Sequence, residues 1–331
     1  MKVFTLVGAC VVAVPCFAQT QYPPTKTVDV TDTYFGIAYK DPYRWLEDLK
    51  DGAVDRWFKA QAVLTDDLLA RIPARDALAD EWMRLDKLQP AQYDTIAFEN
   101  GRVFYKKTLG GENVGKLYYR DGWEGAEHLL FDPASFSPKG AKEGSVTTIQ
   151  GMAASPDGRY VALGLSAAGA EYSEIKIVEV ATRALLPETW YPSYGPIGWT
   201  MDSGSLLYDM GKVLDIKDAG IELNRKTKIH KLGTPVAADV DFFSDEANPE
   251  LGITPREFPT ASIDESYPDY VIGSVGTVQQ EMRLFYAPSS QVAKGRLEWR
   301  VLAKTSDNLV RGLAFYKDKV YAVTHAGAPK Y

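Results

Sequence analysis

Apolar positions along the chain follow two different periods, and the period changes near residue 90. Apolar residues recur every three or four positions through 54–72 and again through 78–88, as they do on one face of an α-helix. Pro73 and Pro90 end these two stretches, because proline lacks the backbone N–H that a continuing helix needs. We therefore expect residues 19–90 to form an extended arm followed by a small helical region.

Short stretches of alternating apolar and polar residues, typical of β-strands, replace the helical pattern beyond residue 90. A turn followed by such a strand recurs five times, at intervals of 45 to 62 residues. The turn residues are Asn100, Asp157, Asp202, Asp264 and Asp318. Several short strands per unit at this spacing are typical of a β-propeller, in which each unit forms one four-stranded blade.

The fold class predicted from this pattern is mainly β, with an incomplete β-propeller over residues 91–331 behind the small helical region. We count four blades and the beginning of a fifth. Aromatic residues make up 12% of the chain, and they favour the same interpretation because aromatic side chains are enriched in strands. The alternative fold is an array of β-sandwiches, which also uses short strands and tight turns.

The charge balance of the chain excludes one class of partner. The chain has 37 basic and 44 acidic residues and a net charge of −7. It contains no block of lysine and arginine that could neutralise a run of phosphates. We therefore expect no nucleic-acid partner.

Segment 1–18 has the features of a secretory signal peptide. Lys2 supplies the positive charge, residues 3–14 are apolar, and a small-x-small cleavage site ends at Ala18. The apolar stretch is shorter than the ~20 residues that span a bilayer, which argues against the alternative of a membrane anchor. We expect cleavage before Gln19, and a mature protein that is periplasmic or secreted and has no membrane segment.

No catalytic or metal-binding group stands out in the sequence. A serine hydrolase of the α/β type places its nucleophile in a Gly-x-Ser-x-Gly turn, and the nearest approach, at residues 164–169, has the wrong spacing. His128, His230 and His325 have no neighbouring ligand at metal-binding spacing. No phosphate-binding glycine motif is present, so we expect no metal, no cofactor and no catalytic residue in this chain. A carboxylate pair of the glycosidase kind stays open, because it leaves no trace in a sequence.

Several motifs together resemble the prolyl oligopeptidase family. They are Asp-Pro-Tyr-Arg-Trp-Leu-Glu-Asp at 41–48, Trp-Phe-Lys-Ala-Gln-Ala at 57–62, the turn and strand at 155–169, Gly-Trp-Thr-Met-Asp at 198–202, and Lys-Leu-Gly-Thr at 231–234. Their order and approximate spacing agree with the amino-terminal half of that family. The resemblance implies a helical arm, a seven-bladed propeller and a following α/β-hydrolase domain that carries the catalytic serine, aspartate and histidine. On this interpretation the chain ends inside the propeller and lacks the catalytic domain.

The resemblance also implies a function. In that family a serine attacks the carbonyl group after proline in short peptides, and the propeller excludes folded proteins. Tyr194 matches an aromatic position that faces the substrate cavity. We expect the propeller portion of an exported serine-type endopeptidase, inactive by itself, whose partners are short proline-containing peptides bound with the missing catalytic half. The alternative is a free-standing propeller that binds peptides or proteins without catalysis.

Overall fold

The computed structural model describes residues 20–167, 170–212, 215, 217–218, 220–310, 313–316 and 319–328. The described residues divide into two compact units, with the boundary between Asp80 and Glu81. The predicted signal peptide with its cleavage site between Ala18 and Gln19 lies outside the described residues, as does the fifth predicted turn at Asp318. Within the described ranges, no helix has both the length and the apolar character needed to cross a membrane.

The first unit contains a two-stranded hairpin followed by helices. Its elements are β1 (Thr31–Tyr34), β2 (Ile37–Lys40), α1 (Gly52–Ala70) and the beginning of α2 (Arg75–Asp86), which crosses into the second unit. The arm before β1 is held by tryptophan side chains. The indole N–H of Trp45 donates to the carbonyl of Lys26 at 2.7 Å, and that of Trp57 donates to Thr25 Oγ1 at 3.0 Å.

After the end of α2, the described part of the second unit contains four blades and a further hairpin. Blade 1 contains β3 (Ala91–Glu99), β4 (Arg102–Leu109), β5 (Lys116–Asp121) and β6 (His128–Phe131). Blade 2 contains β7 (Thr147–Ala154), β8 (Tyr160–Ala167) and β9 (Ser173–Glu179). Blade 3 contains β10 (Trp190–Trp199), β11 (Ser205–Met210), β12 (Lys226–Lys231) and β13 (Val240–Phe243). Blade 4 contains β14 (Phe258–Ser262), β15 (Tyr270–Gly276), β16 (Arg283–Pro288) and β17 (Arg300–Ala303), and the hairpin contains β18 (Ala314–Tyr316) and β19 (Lys319–Tyr321).

Blades 2 and 3 form one continuous seven-stranded sheet, whereas the sequence pattern predicts a separate four-stranded sheet for each blade. The cause is the length of β10. Its first residues pair with β9, with Trp190 opposite Ile175, and from Ser193 onward it pairs with β11. The beginning of β10 therefore completes blade 2 as its fourth strand, and the remainder is the first strand of blade 3.

The predicted tight turns join the first two strands of each blade, and we call this end of the blades the hairpin end. Asn100 and Gly101 have φ values of 46° and 77°, in the left-handed region that Asn and Gly adopt most readily. The Asn100 side-chain amide donates to the carbonyl of Asp157 at 2.8 Å, and the backbone N–H of Asp157 donates to Ser203 Oγ at 3.0 Å. Hydrogen bonds therefore link the turns of blades 1, 2 and 3.

Buried apolar side chains fill the spaces between the blades. The cluster between blades 1 and 2 includes Phe104, Leu117, Val161, Leu163, Leu165 and Val178. The cluster between blades 3 and 4 includes Leu207, Phe243, Ala261, Val271, Phe285 and Ala287. A third cluster joins blades 2 and 3 and includes Ile175, Ile177, Trp190, Trp199, Leu206 and Tyr208. Face-to-face packing of successive sheets is the arrangement that a propeller requires.

Candidate functional site

The loop end of the blades, opposite the hairpin end, brings together residues that are far apart in sequence. Ser193 on β10, Met210 on β11 and Lys226 on β12 are neighbours in the strand register at this end. Tyr194, which the sequence predicts to face the substrate, follows directly after Ser193. It therefore lies beside the loop that connects β11 to β12.

Hydrogen bonds hold the register shift of β10 at this point. Ser193 Oγ donates to the carbonyl of Asp209 at 2.5 Å and accepts from the backbone N–H of Gly195 at 3.0 Å. Gly195 has a φ of 125°, which residues with a side chain rarely adopt. The local backbone is therefore irregular at the position from which the Tyr194 side chain projects.

Two tyrosines and a glutamate form a hydrogen-bonded triangle at the loop end. The Tyr194 hydroxyl donates to Glu222 Oε1 at 2.6 Å, and the Tyr172 hydroxyl lies 3.0 Å from the same oxygen and 2.9 Å from the Tyr194 hydroxyl. The ring centroids of the two tyrosines are 4.9 Å apart. Burial, and then the bond to Glu222, raises the pKa of Tyr194 far above its usual range, and burial also raises the pKa of Tyr172. Both hydroxyls therefore stay protonated.

Arg225 packs behind this triangle. Its guanidinium lies 3.5 Å from the centroid of the Tyr194 ring and 5.0 Å from that of Phe258, which are cation–π distances. The guanidinium also forms an ion pair with Asp209 and a longer ion pair, at 3.7 Å, with Glu222. Arg225 therefore supports the face of the Tyr194 ring and is neutralised by a buried carboxylate.

Burial of the Asp209 carboxylate lowers the stability of the folded state. Burial raises its pKa to about 6, although the nearby Arg225 opposes that rise. Oδ1 of Asp209 and Nε of Arg225 are both buried without a hydrogen-bond partner among the described residues. At neutral pH the carboxylate is ionised, and the folded state bears the cost of its burial.

This cost predicts a pH dependence of stability. The folded-state pKa of Asp209 lies above the value of about 3.8 for an unperturbed aspartate, so the folded protein binds the proton more tightly than the unfolded chain. The contribution of Asp209 to stability is therefore fully present below pH 3.8 and is lost as the pH rises through 6. Lowering the pH from 7 to 5 should therefore raise the free energy of unfolding of the unmodified protein. We expect this rise to be about 1 kcal/mol smaller in Asp209→Asn, as measured by urea denaturation.

Asp269→Asn is the matched control for this measurement, because Asp269 is exposed. We expect this control to keep the pH dependence of the unmodified protein. An Asp209→Asn variant with the same difference between pH 5 and pH 7 as the unmodified protein would contradict the prediction.

The three histidines do not come together. His128 packs against the Tyr119 ring at 5.1 Å, and His325 Nε2 lies 2.8 Å from Glu281 Oε1. His230 is fully buried, and its Nδ1 lies 2.6 Å from Asp239 Oδ1. Across the described part of the chain, no group of three or more histidine, cysteine or acidic side chains could hold a metal ion.

A cavity of about 680 Å³ lies between blades 3 and 4, away from Tyr194. Asp202 is among the residues that line it, but its carboxylate is engaged by a hydrogen bond from Thr200 Oγ1 at 2.6 Å and from the backbone N–H of Gly204 at 3.0 Å. These bonds stabilise the turn between β10 and β11. The polar side chain of Asp202 therefore has a structural explanation.

Four residues of the site were missed by sequence reasoning, which singled out only Tyr194. They are Tyr172, Asp209, Glu222 and Arg225. The latter three are separated from Tyr194 by 15 to 31 positions. Asp209 lies on β11, and Glu222 and Arg225 lie in the connection after it, whose charged composition has no distinguishing pattern. Tyr172 did carry a signal, because it is an aromatic residue directly before a strand.

Comparison with known proteins identifies the family of this chain. A family model described as prolyl oligopeptidase, N-terminal beta-propeller domain, matches residues 23–331. A prolyl endopeptidase from Elizabethkingia meningoseptica is 32% identical over 224 residues, which are 66% of this chain and 30% of that protein. The dual function macrocyclase-peptidase POPB of Galerina marginata is 25% identical over 262 residues, which are 71% of this chain and 35% of that protein.

Solved structures agree in fold. A structure from work on two prolyl endopeptidases superposes with a TM-score of 0.74 and 26% identity, and the match covers 93% of this chain and 43% of that one. Prolyl oligopeptidase B from Galerina marginata, bound to a 25mer macrocyclization substrate, has a TM-score of 0.70 and 22% identity, with coverage of 94% and 45%. The chain therefore spans less than half the length of these relatives.

These matches confirm the resemblance and the mainly β, partial-propeller fold class that the sequence predicted. The family model covers nearly all of the chain after the predicted signal peptide. The blades, the hairpin-end turns and the helical region before residue 91 are the corresponding structural features. The chain belongs to the prolyl oligopeptidase family, and its residues 23–331 correspond to the amino-terminal β-propeller domain of that family.

Proposed function

We propose that this chain is the propeller portion of an exported serine-type endopeptidase that cleaves short peptides after proline. The observation that carries the proposal is the position of Tyr194 at the loop end, where it pairs with Tyr172 and is held by Glu222. Two protonated tyrosines side by side offer aromatic surface to a proline ring. The relatives named prolyl endopeptidase support the same reaction.

The propeller would act as a filter for substrate size. Its blades are joined by buried apolar clusters and by hydrogen bonds at the hairpin end, so a folded protein could not pass between them without breaking these contacts. Short peptides are small enough to approach the loop end. Export rests on segment 1–18, with its charged start, apolar stretch and small residues before Gln19.

A second candidate function is peptide binding without catalysis. The 331 residues contain no Gly-x-Ser-x-Gly motif, which an α/β-hydrolase nucleophile requires. The site around Tyr194 would serve such a binding module equally well. Reading the gene beyond the codon for Tyr331 separates the two, because a continuing frame with that motif supports the peptidase and a stop codon supports the binding module.

Tyr194→Ala tests peptide binding at the loop end, which both candidate functions require. We expect the variant to bind a fluorescent, acetylated Gly-Pro peptide about tenfold more weakly than the unmodified chain, because the aromatic contact is lost. Fluorescence anisotropy with the full 331-residue chain measures the affinity. Tyr194→Phe keeps the ring, and we expect it to retain most of the binding.

Tyr270→Ala provides the matched control, because Tyr270 is an exposed tyrosine at the start of β15 on blade 4. We expect this control to bind the peptide as the unmodified chain does. Equal binding by Tyr194→Ala and Tyr270→Ala would show that the loop end is not the peptide-binding site.

A further inference from the structure

The negative charge of Glu222 is only partly neutralised within the site. Among the described residues its ion-pair partner is Arg225, at 3.7 Å, and Arg225 pairs more closely with Asp209. Arg225 and Asp209 are largely buried, with side-chain exposures of 18% and 12%, whereas the side chain of Glu222 is 43% exposed. One guanidinium is therefore shared by two carboxylates, so these three groups together leave one negative charge, and Glu222 is the more exposed of the two carboxylates.

The aromatic neighbours of Glu222 strengthen its attraction for a positive charge. Tyr172 and Tyr194 both place their hydroxyls on Oε1, so their rings border the carboxylate. Aromatic ring faces attract cations, and a carboxylate beside them adds a charge-assisted hydrogen bond. Arg225 packs on one face of the Tyr194 ring. The remaining surface of the two tyrosine rings can contact a ligand.

Other charged residues at the loop end do not reverse this balance. The described parts of the two loops beside the site contain acidic and basic side chains. The acidic ones are Glu171, Asp215, Asp218 and Glu222, and the basic ones are Lys212, Lys217 and Arg225. With the strand-end residues Asp209 and Lys226 added, there are five acidic groups and four basic groups. The local charge is therefore negative.

We propose that Glu222, bordered by Tyr172 and Tyr194, binds a primary ammonium group of the same peptide whose proline ring packs on the tyrosine surface. The ammonium comes from a lysine side chain or from the free amino terminus, which present the same chemistry. This inference rests on the proposed function, because it assumes that peptides bind at the loop end. Glu222 then determines specificity for charged peptides.

Glu222→Gln separates the charge from the geometry. The two tyrosine hydroxyls both bond to one oxygen, Oε1, and a glutamine side chain retains an oxygen that can accept both bonds. The variant loses the negative charge and keeps the side-chain size. Glu171→Gln is the matched control, because it removes the same charge one residue away from Tyr172, at an exposed position.

The test uses the full 331-residue chain and three Gly-Pro hexapeptides, measured by fluorescence anisotropy. One peptide is acetylated and contains glutamine, one is acetylated and contains lysine in place of the glutamine, and one is the glutamine peptide with a free amino terminus. We expect at least one of the two charged peptides to bind the unmodified chain about tenfold more tightly than the neutral peptide at low salt. This ratio should fall to about one in Glu222→Gln and stay near tenfold in Glu171→Gln.

Every outcome of this experiment either supports the inference or overturns it. Tighter binding of the lysine peptide alone assigns the ammonium to a side chain, and tighter binding of the free amino terminus alone assigns it to the end of the peptide. Equal affinities of all three peptides for the unmodified chain would overturn the inference while leaving peptide binding intact. The same loss of the ratio in Glu171→Gln as in Glu222→Gln would also overturn it, because a general charge effect would then explain the preference. If the unmodified chain binds none of the peptides, peptide binding at the loop end fails and the inference fails with it.

Discussion

Asp239→Ala is expected to lower the free energy of unfolding by about 3–5 kcal/mol, because it leaves several buried donors without an acceptor. The Asp239 carboxylate accepts hydrogen bonds from Trp190 Nε1 and the Tyr208 hydroxyl, each at 2.8 Å, and lies 2.6 Å from His230 Nδ1. The side chains of Asp239 and His230 are almost completely buried. Urea denaturation monitored by tryptophan fluorescence measures the loss.

Asp269→Ala is the control for this experiment, because it removes an exposed aspartate from a connection in blade 4. We expect it to change the free energy of unfolding by less than about 0.5 kcal/mol. If Asp239→Ala were as mild as this control, the buried network of blade 3 would not contribute to stability as we describe.

The 331-residue chain is expected to release no product from a chromogenic Gly-Pro substrate and to take up no fluorophosphonate probe. A serine peptidase that lacks its nucleophile and base loses many orders of magnitude in rate. The serine nearest to a nucleophile motif is Ser166, which is 1% exposed on β8. Its hydroxyl lies 2.9 Å from Gln150 Nε2 and 3.2 Å from Thr148 Oγ1, so its partners are those of a structural side chain.

Ser166→Ala should therefore behave as the unmodified chain does in both assays. Specific labelling of any serine by the fluorophosphonate, located by peptide mass spectrometry, would refute this prediction. Labelling that disappears in Ser166→Ala would identify the unexpected nucleophile directly.

Local patterns were sufficient to predict the fold class. The turns at Asn100 and Asp157 combine residues that accept positive φ with strands that alternate in polarity, and both properties are visible within ten residues. The helical spacing before Pro90 is equally local. Tyr194 was found by resemblance alone, because nothing in its immediate neighbours distinguishes it from other strand tyrosines.

The remainder of the site depends on contacts between distant residues. Glu222 meets Tyr172 across 50 positions, and this contact exists only because β9, β10 and β12 begin or shift register at the same end of one sheet. The continuity of that sheet comes from β10 pairing on both sides. Such pairing cannot be derived from a single sequence, since β-strand register is decided by tertiary packing.

The hydrogen bonds between the turns at the hairpin end have a mechanical consequence. Asn100, Asp157 and Ser203 tie three successive blades together at that end, through bonds of 2.8 and 3.0 Å. The loop end of blades 2 and 3 instead presents the long connection between β11 and β12, which contains Glu222. Blades 2 and 3 are also joined near this end by the pairing of β9 with β10, so they should move as one body. Blade 1 should instead pivot against them near the hairpin end, as on a hinge, and the spacing between the side chains at Tyr194 should change little.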